Sequence, residues 1–123
     1  MENENNQVKS IAYEFAVKAK LVCRAIEKND REYNMTNQLS RSSSSIGANL
    51  AEAEHAASRA DFLNKLNIAL KEAVESQYWL NLLHDTNYLS SEVFLELNKL
   101  VTSVINMLSA SVKTLKKSMN RNN

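Results

Sequence analysis

The chain has 123 residues, enough for one domain with a real core, and it contains no proline and a single glycine, Gly47. Strand-rich folds need frequent turn punctuation, so this composition excludes them and predicts long helices with short connections. With 15 basic and 14 acidic residues the formal charge is +1, so no global field marks a nucleic-acid or membrane protein and any such binding rests on local patches.

The N-terminal residues are polar and acidic, without an apolar segment of signal-peptide type. The first helix is expected from about Gln7 to Lys28. Val8, Ile11, Phe15, Val22 and Ile26 keep an i, i+3/i+4 spacing, while Lys20, Arg24 and Glu27 face away. The lone cysteine, Cys23, excludes an internal disulfide and a cysteine-rich zinc site. Asn29-Asp30-Arg31 breaks the pattern.

The second helix is expected from Glu32 or Tyr33 to Ala57. Gln38, Ser45, Asn49 and Glu52 fall on one narrow polar stripe. Leu39, Ile46, Leu50, Ala53 and Ala57 form an apolar stripe about 100° away. Ser42, Ser43, Ser44, Gly47, Ala48 and Ala51 are small enough to let neighbouring helices approach closely. The alternative for the serines is that they bond back to carbonyls of their own helix. Ser58, with Asp61 three residues on, reads as the N-cap of the third helix.

That third helix spans about Arg59 to His84, with Phe62, Leu66, Ala69, Ala73, Gln77 and Leu80 as its centre line. Val74, Tyr78, Trp79, Leu82 and Leu83 carry apolar bulk most of the way round. One core does not satisfy all these directions, so this half either lies deep between neighbours or contributes to a subunit interface. The candidate interface is Tyr78, Trp79 and Leu82. After a loop from His84 to Ser90, Ser90 or Ser91 with Glu92 starts a fourth helix that runs to about Ser118. Phe94, Leu97, Val101, Val104, Ile105, Leu108, Val112 and Leu115 make the cleanest apolar stripe in the chain. The expected fold is all-α, an antiparallel up-down-up-down four-helix bundle filling residues 1–123 as a single domain. No run approaches the roughly 18 apolar residues of a membrane span, so a soluble, cytoplasmic protein with no membrane partner is expected.

Chemistry is sparse. Glu52-Ala53-Glu54-His55 supplies one Glu-x-x-His motif, but a di-iron bundle needs two on facing helices; no metal, cofactor or catalytic residue is expected. Ser43, Ser44 and Ser45 sit within a helix rather than on a nucleophile elbow, and one glycine does not make a phosphate loop. Basic residues are the remaining signal. In an antiparallel bundle Arg24, Lys28 and Arg31 gather at one pole. Arg59, Lys65, Lys113, Lys116, Lys117 and Arg121 gather at the other, near Lys9. Arg59, Lys113, Lys116, Lys117 and Arg121 are the candidate nucleic-acid contacts. The competing reading is that the lysines simply complement the macrodipole at a helix C-terminus.

Asn37 to Leu80 resembles the bacterial four-helix-bundle family of 23S rRNA intervening-sequence proteins, which includes the accessory protein of diversity-generating retroelements. The resemblance is carried by Gln38-Leu39-x-Arg41, then Ser45-Ile46-x-x-Asn49-Leu50-Ala51-Glu52, then Asp61-Phe62, and Ile68-Ala69 with Glu75. Leu50 stands where the family usually has Ile, Ala53 where it has Gly, and Lys71-Glu72 where it has Gly-Ser. The resemblance implies a homo-oligomer, with rings of five in members of the family. It also implies association of some members with structured RNA or a nucleic-acid enzyme such as a reverse transcriptase. Ser45, Asn49, Glu52 and Glu75 match its polar hallmark positions and are expected to form an interhelical hydrogen-bond network first and a ligand site second. Two functions follow: a non-enzymatic, ring-forming bundle that binds RNA or DNA through repeated basic patches, or a protein-binding adaptor or scaffold with no nucleic-acid role.

Overall fold

A computed structural model describes residues 2–121 as four helices: α1 Glu2–Asp30, α2 Asn34–Ala53, α3 Arg59–Asp85 and α4 Ser91–Arg121. Each helix packs against its two neighbours in cyclic order, and among the described residues neither diagonal pair, α1 with α3 or α2 with α4, brings its backbones close together. This is the antiparallel up-down-up-down bundle expected, with α1 and α3 running the same way. Phe15, Leu39, Ile46, Leu80, Leu83, Leu97 and Leu108 fill its centre and are fully buried.

The connections are closed by local chemistry. Arg31 adopts φ 55° and its N–H bonds Glu27 O at 3.1 Å, a left-handed cap that ends α1. Asn87 adopts φ 70°, with its N–H on His84 O at 3.0 Å and that of Tyr88 on Leu83 O at 2.9 Å. Those two bonds make a Schellman motif at the end of α3, with asparagine in place of the usual glycine. Ser58 is extended and its Oγ accepts from Asp61 N at 3.0 Å; Ser90 Oγ accepts from Val93 N at 3.2 Å and opens α4 the same way.

The main correction concerns α2, which stops at Ala53 rather than Ala57. His55 N turns back to Glu52 O and Ala56 N to Ala53 O, tightening the chain into short turns before Ser58 restarts it. Ala57 is therefore exposed and outside the apolar stripe. Both outer helices are longer than their periodicity suggested, because polar terminal turns carry no apolar signal. By length and composition alone α4 would pass for a membrane span. Its buried residues nevertheless lie on one stripe, Leu97, Val101, Val104, Leu108, Val112 and Leu115, while Lys99, Lys113 and Lys117 are exposed, the pattern of an amphipathic bundle helix.

Candidate functional site

The serine run sits on the seam between α2 and α3, the most extensive helix contact in the bundle. Ser42 Oγ donates to Leu39 O at 3.4 Å, Ser43 Oγ to Ser40 O at 3.2 Å and Ser44 Oγ to Ser40 O at 2.7 Å. The hydroxyls thus bond back within their helix, as the alternative reading of the run has it. Ser42 and Ser43 are buried, and Ser76 of α3 donates to Ser42 Oγ at 2.8 Å. Gly47 plays no part in the close approach: a Cβ placed there would meet nothing within 4 Å.

The hallmark residues Ser45, Asn49, Glu52 and Glu75 do not share one network. Asn49 is buried, but its Nδ2 donates to Ser45 O at 2.8 Å and Ser45 Oγ at 3.2 Å, one turn back on α2. Glu52 is exposed and pairs with Lys65 of α3 at 3.5 Å. Glu75 instead accepts from Arg41 Nη2 and from the Trp79 indole at 3.1 Å, while Arg41 Nη1 reaches Glu72 at 3.1 Å. The interhelical polar cluster is therefore Arg41, Glu72, Glu75 and Trp79. The reason lies in α2 itself: Arg41 leaves the helix on the side facing α3, whereas Asn49 is short enough to be satisfied locally. Its hydrogen bond to Glu75 pushes the Arg41 guanidinium above its ordinary value.

At the other candidate surface, Tyr78 is 59% exposed and meets Trp79 edge-to-face, ring centroids 4.9 Å apart. Trp79 and Leu82 are half-buried, and Trp79 packs on the core. Val74, one turn before Tyr78, is 51% exposed. A second exposed apolar stripe, absent from the sequence reading, lies on α1: Tyr13, Val17 and Leu21. Their i, i+4, i+8 spacing opposite Val8, Phe15 and Ile26 was visible in the sequence, masked by the stronger core stripe beside it.

The basic pole is sorted by its ion pairs. Lys9 pairs with Glu54, holding the Glu54 carboxyl below its ordinary value, and Lys65 pairs with Glu52. Asp61 is occupied in the cap of α3, where Oδ2 accepts from Ala57 N at 3.1 Å. Arg59 Nη2 donates to Ser118 Oγ at 3.0 Å, which ties it to the last turns of α4, the same turns that carry Lys113, Lys116, Lys117 and Arg121 around the helix. All five are exposed, and among the described residues none has an acidic group within ion-pair distance.

No group of three or more metal-ligating side chains occurs among the described residues. A groove of about 450 Å³ between α1 and α4 is lined, among the described residues, by uncharged side chains such as Asn106, Met107, Ser111 and Thr114. Cys23 is buried with Sγ on Thr36 O at 3.5 Å, and burial pushes its thiol up to about 11.

A family model described as 23S rRNA-intervening sequence protein matches residues 4–110. A crystal structure of a protein of unknown function from the S23 ribosomal protein family of Bacteroides thetaiotaomicron is 44% identical. The alignment covers 89% of this chain and 98% of that one, with a TM-score of 0.86. No curated protein matches. Matched over most of its length, the chain belongs to the 23S rRNA-intervening sequence protein family.

Proposed function

We propose that this protein is a non-enzymatic, homo-oligomeric bundle that holds the backbone of RNA or DNA on the pole formed by Arg59 and the end of α4. The observation that carries this reading is the sorting of charge there. The cations elsewhere at this end, Lys9 and Lys65, are matched by Glu54 and Glu52, while among the described residues Arg59, Lys113, Lys116, Lys117 and Arg121, at the same end, have no acidic partner. Macrodipole compensation accounts for one or two cations in the last turn of α4, not for an arginine of α3 held against the same helix end. Exposed cations on helix ends contact phosphates rather than base edges, so recognition is of backbone and shape. The titratable residues that do share a hollow, Glu52, His55, Asp61 and Lys65, lie around the exposed turn between α2 and α3, where Lys65 is paired with Glu52 and Asp61 is engaged in the α3 cap.

The test is binding of fluorescent single-stranded, duplex and hairpin RNA and DNA across a salt series. Affinity that falls steeply with salt and varies little with sequence supports the proposal. Absence of binding at about 50 mM salt and micromolar protein, where phosphate contacts are strong, returns the adaptor reading.

A further inference from the structure

Two exposed apolar stripes lie at opposite corners of the bundle, Tyr13, Val17 and Leu21 on α1 and Val74 and Tyr78 on α3, helices that run parallel across the core from one another. Hydrogen bonds through α2 fix their relative height. Lys20 Nζ reaches Ser40 Oγ at 2.9 Å and Ser76 Oγ reaches Ser42 Oγ at 2.8 Å. Ser40 and Ser42 are only about 3 Å apart along the axis of α2, so Lys20 stands close to the level of Tyr78. To within one residue, about 1.5 Å along the axis, that register sets Val17 level with Val74 and Leu21 with Tyr78. The same offset sets Glu14 against Lys71 towards one end and Lys28 against Asp85 at the other. Apolar groups thus meet apolar groups and the charges named at either end are of opposite sign, although Glu14 is also bridged by Lys18 of its own helix at 2.9 Å. All eight residues recur at helical spacing along their two strips.

We propose that α1 of one copy packs parallel against α3 of the next, with Val17 and Leu21 seated on Val74 and Tyr78. This rests on the homo-oligomeric reading above and names its contact. The two strips differ, so the contact is heterologous: it closes into a ring or runs on as a filament, and it is not a two-fold dimer. Tyr78 is held ready by its edge-to-face contact with Trp79, whose indole N–H is anchored on Glu75. A parallel contact keeps every copy pointing the same way. The basic ends of α4 then repeat along one rim, where avidity strengthens each weak phosphate contact.

The experiment uses Val17→Cys and Val74→Cys, singly and together, with a short bismaleimide, and light scattering on the same samples. Buried Cys23 is retained, with the wild type as its control. The double variant is expected to give a covalent ladder beyond the dimer. An equimolar mixture of the two single variants should give dimers, and each single variant alone should stay monomeric on a denaturing gel. Dimers of comparable yield from either single variant alone mean a two-fold contact and overturn the proposal. An oligomer by light scattering without cross-links in the double variant overturns this contact while leaving the oligomer standing. A monomer at tens of micromolar overturns both.

Discussion

Ser76 on α3 donates its hydroxyl to the hydroxyl of Ser42 on α2 at 2.8 Å, and both side chains are fully buried. Ser42 in turn reaches Leu39 O, so the pair is a satisfied polar link in an otherwise apolar seam. Larger side chains here would push α2 and α3 apart. Ser76→Ala keeps the Ser42 bond to Leu39 and should cost about 0.5–1.5 kcal/mol. Ser76→Leu, overpacking the closest helix pair, should cost about 1–3 kcal/mol. Urea midpoints check both, and an equal loss for the two variants would mean that the seam has room to spare.

Gly47 leads to the opposite expectation. It lies inside α2, where glycine costs roughly 0.5–1 kcal/mol relative to alanine, and an added Cβ meets nothing within 4 Å. Gly47→Ala should raise the melting temperature by a few degrees. A loss of stability would show that something outside a single chain comes close to this turn, as an assembly would bring about.

Legibility in the sequence followed the strength of each signal. The core of α4 and the Ser58 and Ser90 caps were readable because apolar spacing and cap residues act over a few positions. The end of α2 was not, since Ala53 to Ala57 are helix-compatible and only the turns at His55 and Ala56 stop the helix. Arg41 and Glu75 both stood in the family hallmark, but their pairing depends on the rotation of α2 against α3, which one helical wheel does not contain. Val17 and Leu21 were readable as spacing and unreadable as exposure, because helices around a bundle differ in how many faces they bury.

The Arg41 fork should behave as a coupled unit. Arg41 is 52% exposed and Glu75 37%, so solvent screens the pair and its worth is a few tenths to about 1 kcal/mol. A double-mutant cycle of Arg41→Ala with Glu75→Gln measures it. Arg41→Lys should recover little, because one ammonium does not span two carboxylates as a planar guanidinium does. Full recovery with lysine would reduce the cluster to simple charge.

Alkaline stability should carry the mark of Cys23. Burial raises its folded value to about 11 from an ordinary 9.0. Between those values the unfolded thiol has lost its proton while the folded one keeps it, so stability falls as pH rises through that window. Lys18, held protonated by its hydrogen bonds to Glu96 and then Glu14, adds a loss of the same sign above its ordinary 10.5. Urea titrations at pH 8 and pH 10.5 should show the drop, and Cys23→Ala should shrink it. The native thiol should also react with iodoacetamide far more slowly than the thiol in urea; fast labelling of the folded protein would contradict its burial.

Nucleic-acid binding gives the sharpest contrast between neighbouring lysines. Among the described residues Lys116 and Lys117 have no acidic partner, whereas Lys65, at the same end, is matched by Glu52 at 3.5 Å. Two acids described at this pole are engaged elsewhere, Glu54 with Lys9 and Asp61 in the α3 cap. Replacing Lys116 and Lys117 by Gln should therefore weaken binding to every sequence alike, since phosphate contacts carry little base information. If both contact duplex phosphates, the slope of log affinity on log salt should flatten by roughly 1.8. Lys65→Gln should change affinity and slope far less, because its charge is already compensated. Fluorescence anisotropy with one duplex and one hairpin RNA over several salt concentrations measures all three variants. If the Lys65 variant loses as much as the double variant, the long-range field of the pole dominates and the assignment of contacts to the end of α4 is wrong. If neither loses anything while the wild type binds, the nucleic acid sits on another face of the bundle.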